Sequence, residues 1–281
     1  MNTDEQSKHA SAARPFLKWT GGKRQLLPEL LARVPKSYEV YHEPFLGGGA
    51  LFFALGPRRA RLSDANRELV RTYQVVETEV SFLMRELESL GRGHAKEGLV
   101  HYLKVRSVGT PPSRVAEAAR MIYLNKRCFN GLYRVNKKGQ FNVPMGKWKM
   151  PPALFDEDNL LACSRMLRQE DVMIACADFR ASLKSPRAGD FVYLDPPYVP
   201  LTETANFTCY TMEGFGPKDQ KELAELVRGL KDRGIKILLS NAGNKTVREL
   251  YPEPFFKVEE VVASRNISCK KREDVVEYLI S

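Results

Sequence analysis

Phe191-Val192-Tyr193-Leu194-Asp195-Pro196-Pro197-Tyr198 is the stretch from which the fold can be read outward. The first four residues form an apolar run with the length and composition of a buried strand. An acid, two prolines and an aromatic therefore sit where a strand ends and a loop begins. In open α/β sheets that edge is where ligands bind. The Asp195 carboxylate can accept a hydrogen from an amino group. Proline has no N–H, so Pro196 and Pro197 cannot extend the ladder and their carbonyls stay available as acceptors. The Tyr198 ring offers a flat face to a planar base. Two acceptors beside a stacking ring suit an exocyclic amine on a heterocycle. The structural alternative is a rigid Pro-Pro turn after a core strand.

Upstream lies Glu43-Pro44-Phe45-Leu46-Gly47-Gly48-Gly49-Ala50-Leu51-Phe52-Phe53. Val40 and Tyr41 end a short apolar segment, three glycines follow, and the apolar run after them opens a helix. Glycines at such a place let the backbone approach a ligand closely. The G-x-G-x-x-G spacing of a dinucleotide fingerprint is absent. Beyond the glycines, Ala60-Arg61-Leu62-Ser63-Asp64 reads as a second strand ending in an acid. A doubly wound fold places its ribose-binding carboxylate there. Asp64 could equally cap a helix over residues 65–73.

Two further segments complete the pattern. Phe16-Leu17-Lys18-Trp19-Thr20-Gly21-Gly22-Lys23 is a Gly-Gly loop flanked by lysines and a tryptophan. It is not a P-loop, because the earlier glycine is missing and Arg24 stands where Ser or Thr is required. Val172-Met173-Ile174-Ala175-Cys176 reads as a strand with Asp178-Phe179 at its end, an acid and a ring suited to an adenine edge and face.

In this order, from Arg14 to Ser281, these motifs resemble the Dam-type DNA adenine-N6 methyltransferases of the D12 class. The segment from Phe129-Asn130-Gly131-Leu132-Tyr133-Arg134-Val135-Asn136 through Gly139-Gln140-Phe141-Asn142-Val143-Pro144-Met145-Gly146-Lys147 also resembles that family's GATC-reading hairpin. Met145 is a departure, since an aromatic residue is common there. The resemblance implies an α/β fold, a Rossmann-like S-adenosylmethionine-dependent methyltransferase sheet. Residues 14–64 and 169–281 would form it, after a disordered tail over 1–13. A mostly helical target-recognition domain carrying a β-hairpin would be inserted over 65–168. The implied reaction moves a methyl group from S-adenosylmethionine to N6 of a flipped-out adenine in duplex DNA, in GATC. Asp195 and the Pro196 carbonyl would hold the amine, and Pro197 and Tyr198 would complete the catalytic motif, with Tyr198 stacked on the base. Trp19, Lys23, Phe45, Gly47, Asp64, Asp178, Phe179 and Asp195 would line the cofactor site. Lys18 and Arg134 would read guanines, because a basic side chain meets guanine O6 and N7. Leu132 and Pro144 would touch a thymine methyl, Phe129 would wedge into the opened duplex, and Asn130 would face the orphaned thymine. Lys137 and Lys138, at the hairpin turn, would touch phosphates. An RNA adenine methyltransferase and a non-catalytic DNA-binding module with a decayed cofactor site are the competing readings.

Composition narrows the field. At 281 residues, 43% hydrophobic and 28% charged, the chain can bury a full core. The polar segment 1–13 has no apolar signal-peptide core, and no apolar stretch approaches the ~20 residues of a membrane span. The five cysteines are scattered and form no C-x-x-C pair, which reads as reduced thiols in a cytoplasmic protein; the resemblance implies one that is bacterial and nucleoid-associated or phage-encoded. The four histidines form no ligand cluster with them, so no metal is expected and a zinc deaminase is disfavoured. A monomer or weak dimer is expected. The net charge of +10 is unevenly placed: 118–155 contains no Asp or Glu but holds Arg120, Lys126, Arg127, Arg134, Lys137, Lys138, Lys147 and Lys149. Tyr123, Phe129, Tyr133, Phe141 and Trp148 interleave with them. Charge of one sign mixed with aromatics suits phosphate contact and base stacking.

Periodicity supplies the rest. Leu69, Tyr73, Val76, Val80, Leu83, Leu87 and Leu90 make one apolar helical stripe. Residues 91–98 read as a loop, 113–125 as a helix capped by Ser113, and 132–135 and 140–143 as hairpin strands. Strands are expected at 172–176, 191–194, 235–239, 256–262 and 275–280, with a helix at 218–232 and a mostly parallel sheet. Residues 200–217 read as a long loop and a candidate lid.

Overall fold

A computed structural model describes residues 13–19, 21–109, 111–136, 138–198, 214–265 and 273–281. The expected tail, Lys137 and most of the expected lid lie outside these residues. Seven strands form one sheet: β1 Tyr41–Glu43, β2 Arg59–Asp64, β3 Asp171–Cys176, β4 Phe191–Leu194, β5 Lys236–Ala242, β6 Val258–Arg265 and β7 Glu273–Ile280. Their order is β3-β2-β1-β4-β5-β7-β6. The first five are parallel, and β7 runs antiparallel to both β5 and β6. This is the mostly parallel α/β sheet that the motifs implied. β4 is buried at all four positions, which explains its unbroken apolar run. The strand order reverses between β1 and β4, and a sheet of this kind opens a crevice at such a point. Glu43, Asp64 and Asp195 stand at the carboxyl ends of β1, β2 and β4 around it.

The helices are α1 Leu27–Arg33, α2 Ala50–Leu55, α3 Arg67–Thr78, α4 Val80–Glu97, α5 Leu99–Ser107, α6 Arg114–Arg127, α7 Glu157–Leu167, α8 Phe179–Ser182, α9 Pro217–Asp232 and α10 Lys245–Leu250. The apolar stripe from Leu69 to Leu90 breaks into α3 and α4 at Glu79, whose φ of −134° is not helical. Ser113 caps α6 by accepting from Ala116 N at 3.1 Å.

Two expectations need correction. Residues 91–97 continue α4 rather than forming a loop. Their glycines are packing positions: a Cβ on Gly91 would touch Leu154, and one on Gly93 would lie 2.3 Å from the His101 ring. The hairpin is also less regular than two four-residue strands. It consists of an antiparallel bridge between Val135 and Phe141 and another between Cys128 and Met145. Backbone bonds from Asn136 N to Gln140 O and from Asn142 N to Arg134 O hold the arms together.

The main core joins the sheet to the helical segment, since Tyr41, Leu62 and Tyr193 share a cluster with Leu69, Tyr73, Leu83, Ala118 and Ile122. A second cluster packs α9 on β4 and β5. A third sits beneath the hairpin, where Tyr102, Tyr123, Cys128, Phe141 and Val143 are buried together. Met145 packs against this third cluster. Among the described residues no helix is long and apolar enough to cross a membrane.

Candidate active site and nucleic-acid interface

The polypeptide brings Asp195 to the crevice by ending β4 one residue earlier. Its Oδ1 takes an ion pair from Lys23 Nζ at 2.8 Å and a hydrogen bond from the Ser240 hydroxyl at 2.9 Å. Ser240 has one hydrogen and gives it to Asp195, so the Tyr193 hydroxyl, 3.3 Å away, acts as donor to Ser240. Burial raises the Asp195 pKa, and the Lys23 charge opposes that rise. Lys23 is only 5% exposed. Burial works against its ammonium, yet Asp195 and Glu277 together hold its pKa above the usual lysine value. Pro196 is buried directly after the acid. The Tyr198 hydroxyl donates to Glu277 at 2.6 Å, and the Lys23 ammonium lies 4.7 Å from the Tyr198 ring centre.

The glycine loop is tied to the end of β2. Gly47 N donates to Asp64 Oδ2 at 3.0 Å, and Asn66 N donates to Asp64 Oδ1 at 2.9 Å. Asp64 is therefore not the cap of the following helix. Asn66 caps α3, accepting from Leu69 N at 3.0 Å, because the helix begins two residues later than the sequence implied. Burial raises the Asp64 pKa. Gly47 has a φ of +48°, and a Cβ there would lie 2.8 Å from the Trp19 ring. Only glycine satisfies both the conformation and the approach. Between the two acids sits Glu43, 3% exposed, accepting the Tyr41 hydroxyl at 2.7 Å. Burial pushes its carboxyl up to about 8, with Asp195 and Asp64 adding to the rise.

At the next strand end, Asp178 caps α8 through Arg180 N at 2.9 Å and pairs with the Arg180 guanidinium at 3.1 Å. Phe179 stacks on Phe45, ring centres 5.5 Å apart, and Phe215 closes on both. These residues fit an adenosyl cofactor: a strained glycine loop, a buried carboxylate at the adjoining strand end, and an aromatic wall with an acid beside it.

The hairpin stands on the other side of Trp19, whose ring stacks on Tyr133 at 5.5 Å. Tyr133 donates to Glu68 at 2.8 Å, and Glu68 also takes Arg120 at 3.0 Å. Lys18 is exposed, but its backbone is clamped both ways by Asn125: Lys18 N donates to Oδ1 at 2.9 Å and Nδ2 donates to Lys18 O at 2.8 Å. Its side chain runs over Gly131, where a Cβ would lie 2.8 Å away. Arg134 Nε donates to Asn142 Oδ1 at 2.7 Å, which sets the plane of the guanidinium. Phe129 is 36% exposed, and Asn130 adopts a left-handed φ of 55°. Leu132 is half-buried, while Pro144 and Lys138 are exposed. Burial lowers the Lys126 pKa, and Arg127, Arg14, Lys18 and Arg24 lower it further, which identifies a local concentration of cations.

Comparison with known proteins identifies the family. The model of the D12 class N6 adenine-specific DNA methyltransferase family matches residues 19–267. The chain belongs to this family. A type II methyltransferase of Lactococcus lactis subsp. cremoris, M1.LlaDCHI, is 40% identical over 275 residues, covering 95% of each chain. The type II methyltransferase M.MjaIII of Methanocaldococcus jannaschii is 41% identical, covering 95% of this chain and 98% of its own. The DNA adenine methylase of Escherichia coli K12 is 33% identical, covering 95% and 94%. The protein is thus a DNA adenine methyltransferase, and the methyl donor its family implies is S-adenosylmethionine.

Within this D12-class enzyme, Lys23, Asp195 and Tyr198 meet directly, and Trp19, Gly47 and Asp64 meet through the glycine loop. Phe45 and Phe179 meet at the third strand end. The basic window overstates the interface: Arg120 is paired with half-buried Glu68, and Arg127, 6% exposed, donates to Pro152 O at 2.7 Å. Both serve the fold. The sequence reading assigned no part to Glu277, Ser240 or Asn125. Ser240 and Asn125 carry no motif, and Glu277 lies on a strand whose neighbours only the topology reveals. Lys18 and Arg24 extend the basic patch outside the 118–155 window, whereas Arg14 is paired with Asp156. Among the described residues no cluster of His, Cys, Asp and Glu could hold a metal.

Proposed function

We propose that this methyltransferase modifies N6 of an adenine flipped out of duplex DNA, within 5′-GATC-3′. The observation that carries the reading is Asp195 at the crevice, its Oδ1 fixed by Lys23 and Ser240. Among the described residues both contacts fall on one oxygen, and we assign Oδ2 to the ligand. S-adenosylmethionine supplies an electrophilic methyl group on a sulfonium. An adenine amine is a poor nucleophile because its lone pair is delocalised into the ring. Asp195 Oδ2 and the Pro196 carbonyl accept its two hydrogens and localise the pair as the nitrogen pyramidalises. Proximity and alignment supply most of the acceleration. Asp195 accepts the surplus proton after transfer, so full deprotonation before attack is not required. Pro197 rigidifies the turn, and Tyr198, anchored by Glu277, stacks on the base. A paired base cannot reach such a crevice, so the target leaves the helix.

Trp19, Lys23, Phe45, Gly47, Asp64, Asp178, Phe179 and Asp195 line the cofactor side, with Asp64 on the ribose. Residues 14–64 and 169–281 act as the catalytic part and 65–168 as the recognition part of a cytoplasmic monomer or weak dimer. Lys18 and Arg134 read guanines, Leu132 and Pro144 a thymine methyl, Phe129 wedges the stack, Asn130 faces the orphaned base, and Lys137 and Lys138 hold phosphates. The test offers labelled S-adenosylmethionine with duplex DNA or RNA. Label on adenine N6 of DNA alone supports the reading. Label on RNA alone, or DNA binding without transfer, replaces it with one of the competing readings.

A further inference from the structure

Three charged side chains share one buried corner. Lys23 reaches Asp195 at 2.8 Å and Glu277 at 3.5 Å, and the exposures of the three are 5%, 20% and 8%. Glu277 comes from β7, in register with Ala242 of β5 and Val261 of β6. One ammonium is therefore divided between two carboxylates, and the corner holds an excess of one negative charge. Among the described residues, its other neighbours do not cancel that excess. Ser240 and Tyr193 are neutral hydroxyls, and Tyr198 spends its hydrogen on Glu277 at 2.6 Å. Glu43, the next carboxyl, is pushed up to about 8 by burial and is mostly uncharged at neutral pH. Asp64, proposed for the ribose, already holds two backbone N–H groups.

A buried, uncompensated charge is costly until an opposite charge joins it. Asp195 has a role in handling the target amine. Glu277 has none in that step, yet it supplies the surplus charge. We infer that Glu277 tunes the site for a cationic ligand, so that the sulfonium form of the cofactor binds more tightly than the neutral thioether left after transfer. The inference rests on the S-adenosylmethionine reading above. Transfer moves a methyl from sulfur to nitrogen, and the amine's surplus proton passes by way of Asp195 to solvent, so the ligand in the crevice loses its positive charge while the corner regains its excess negative charge. The excess negative charge then favours release of the product over its retention. If Glu277 only anchored Tyr198, it would affect both cofactor forms alike.

Calorimetry separates these roles. Wild type, Glu277→Gln and Glu277→Met are titrated with S-adenosylmethionine, with S-adenosylhomocysteine, and with an analogue carrying an ammonium in place of the sulfonium. A unit charge ~10 Å away at an effective dielectric near 20 is worth roughly tenfold in affinity. Both variants are expected to lose about that factor for the two cations and less than about twofold for the thioether. The Met variant keeps the reach without polar atoms, so either variant that folds decides the matter. Tyr198→Phe, which keeps the charge and removes the hydrogen bond, is expected to hold the cation-to-thioether ratio within about twofold. Equal losses for all three ligands, or no loss, overturn the inference and leave the cofactor reading standing. Binding of none of the three by folded wild type overturns both.

Discussion

At the carboxyl edge of the sheet, Lys23, Asp195, Glu277, Ser240 and Tyr198 are engaged mainly with one another, and the three charged members are at most 20% exposed. Around the hairpin, Lys18, Lys138 and Lys147 are exposed, and Arg134 is held by a neutral amide rather than an acid. The first region is wired internally because a reacting group must be held in one geometry before a substrate arrives. The second leaves these cations without an acidic partner among the described residues, which suits the proposed phosphate and guanine contacts. The division runs between Trp19 and Tyr133, whose stacked rings join the glycine loop to the hairpin.

Substitutions on the two sides are therefore expected to fail in different ways. The largest effect belongs to Asp195→Ala, which removes the amine acceptor and is expected to lower methyl transfer by about 10²–10⁴-fold while the protein stays folded and binds DNA. Near-wild-type turnover in single-turnover assays would sink the assigned chemistry. Lys23→Met leaves two buried carboxylates without their cation and is expected to cost roughly 3 kcal/mol of stability. Urea unfolding measures it, and a loss near zero would mean that the corner is more hydrated than its exposure indicates.

Asp64→Ala frees the N–H groups of Gly47 and Asn66 and removes the proposed ribose partner. It is expected to weaken S-adenosylmethionine binding by about 1–3 kcal/mol and DNA binding by much less. Equal losses for both ligands would make Asp64 a prop for the loop. On the other side of the division, Arg134→Ala is expected to cost about 1–3 kcal/mol of discrimination at one guanine without affecting stability. The smallest effect belongs to Lys138→Ala. Affinity is expected to fall evenly across DNA sequences, with the log–log salt slope reduced by about one. A sequence-dependent loss there would place Lys138 against a base.

The sheet was legible because four of the five parallel strands end in a chemical signal: Glu43 before the glycines, Asp64, Asp178 and Asp195. The glutamate that completes the catalytic corner was not, because Glu277 reaches Lys23 only when β7 inserts antiparallel between β5 and β6. Local pattern carries no information about that insertion. Gly91 and Gly93 read as a loop because propensity penalises glycine in helices. Here close packing against Leu154 and the His101 ring demands a missing side chain. Asp64 and Asn66 are both good caps, and only the strand's length decides between them. The basic window was read from the sign of its charges alone, and sign does not show which cations already have partners. Arg120 is neutralised by Glu68, which lies far from it in sequence.

Single-base-resolved methylation sequencing tests the central claim most directly. Duplex DNA of mixed sequence is treated with wild type, with Asp195→Ala and with Arg134→Ala. The account predicts N6-methyladenine at GATC with wild type, almost none with Asp195→Ala, and relaxed choice at one guanine with Arg134→Ala. Methylated adenines without GATC preference, or methylation that survives the loss of Asp195, would contradict it.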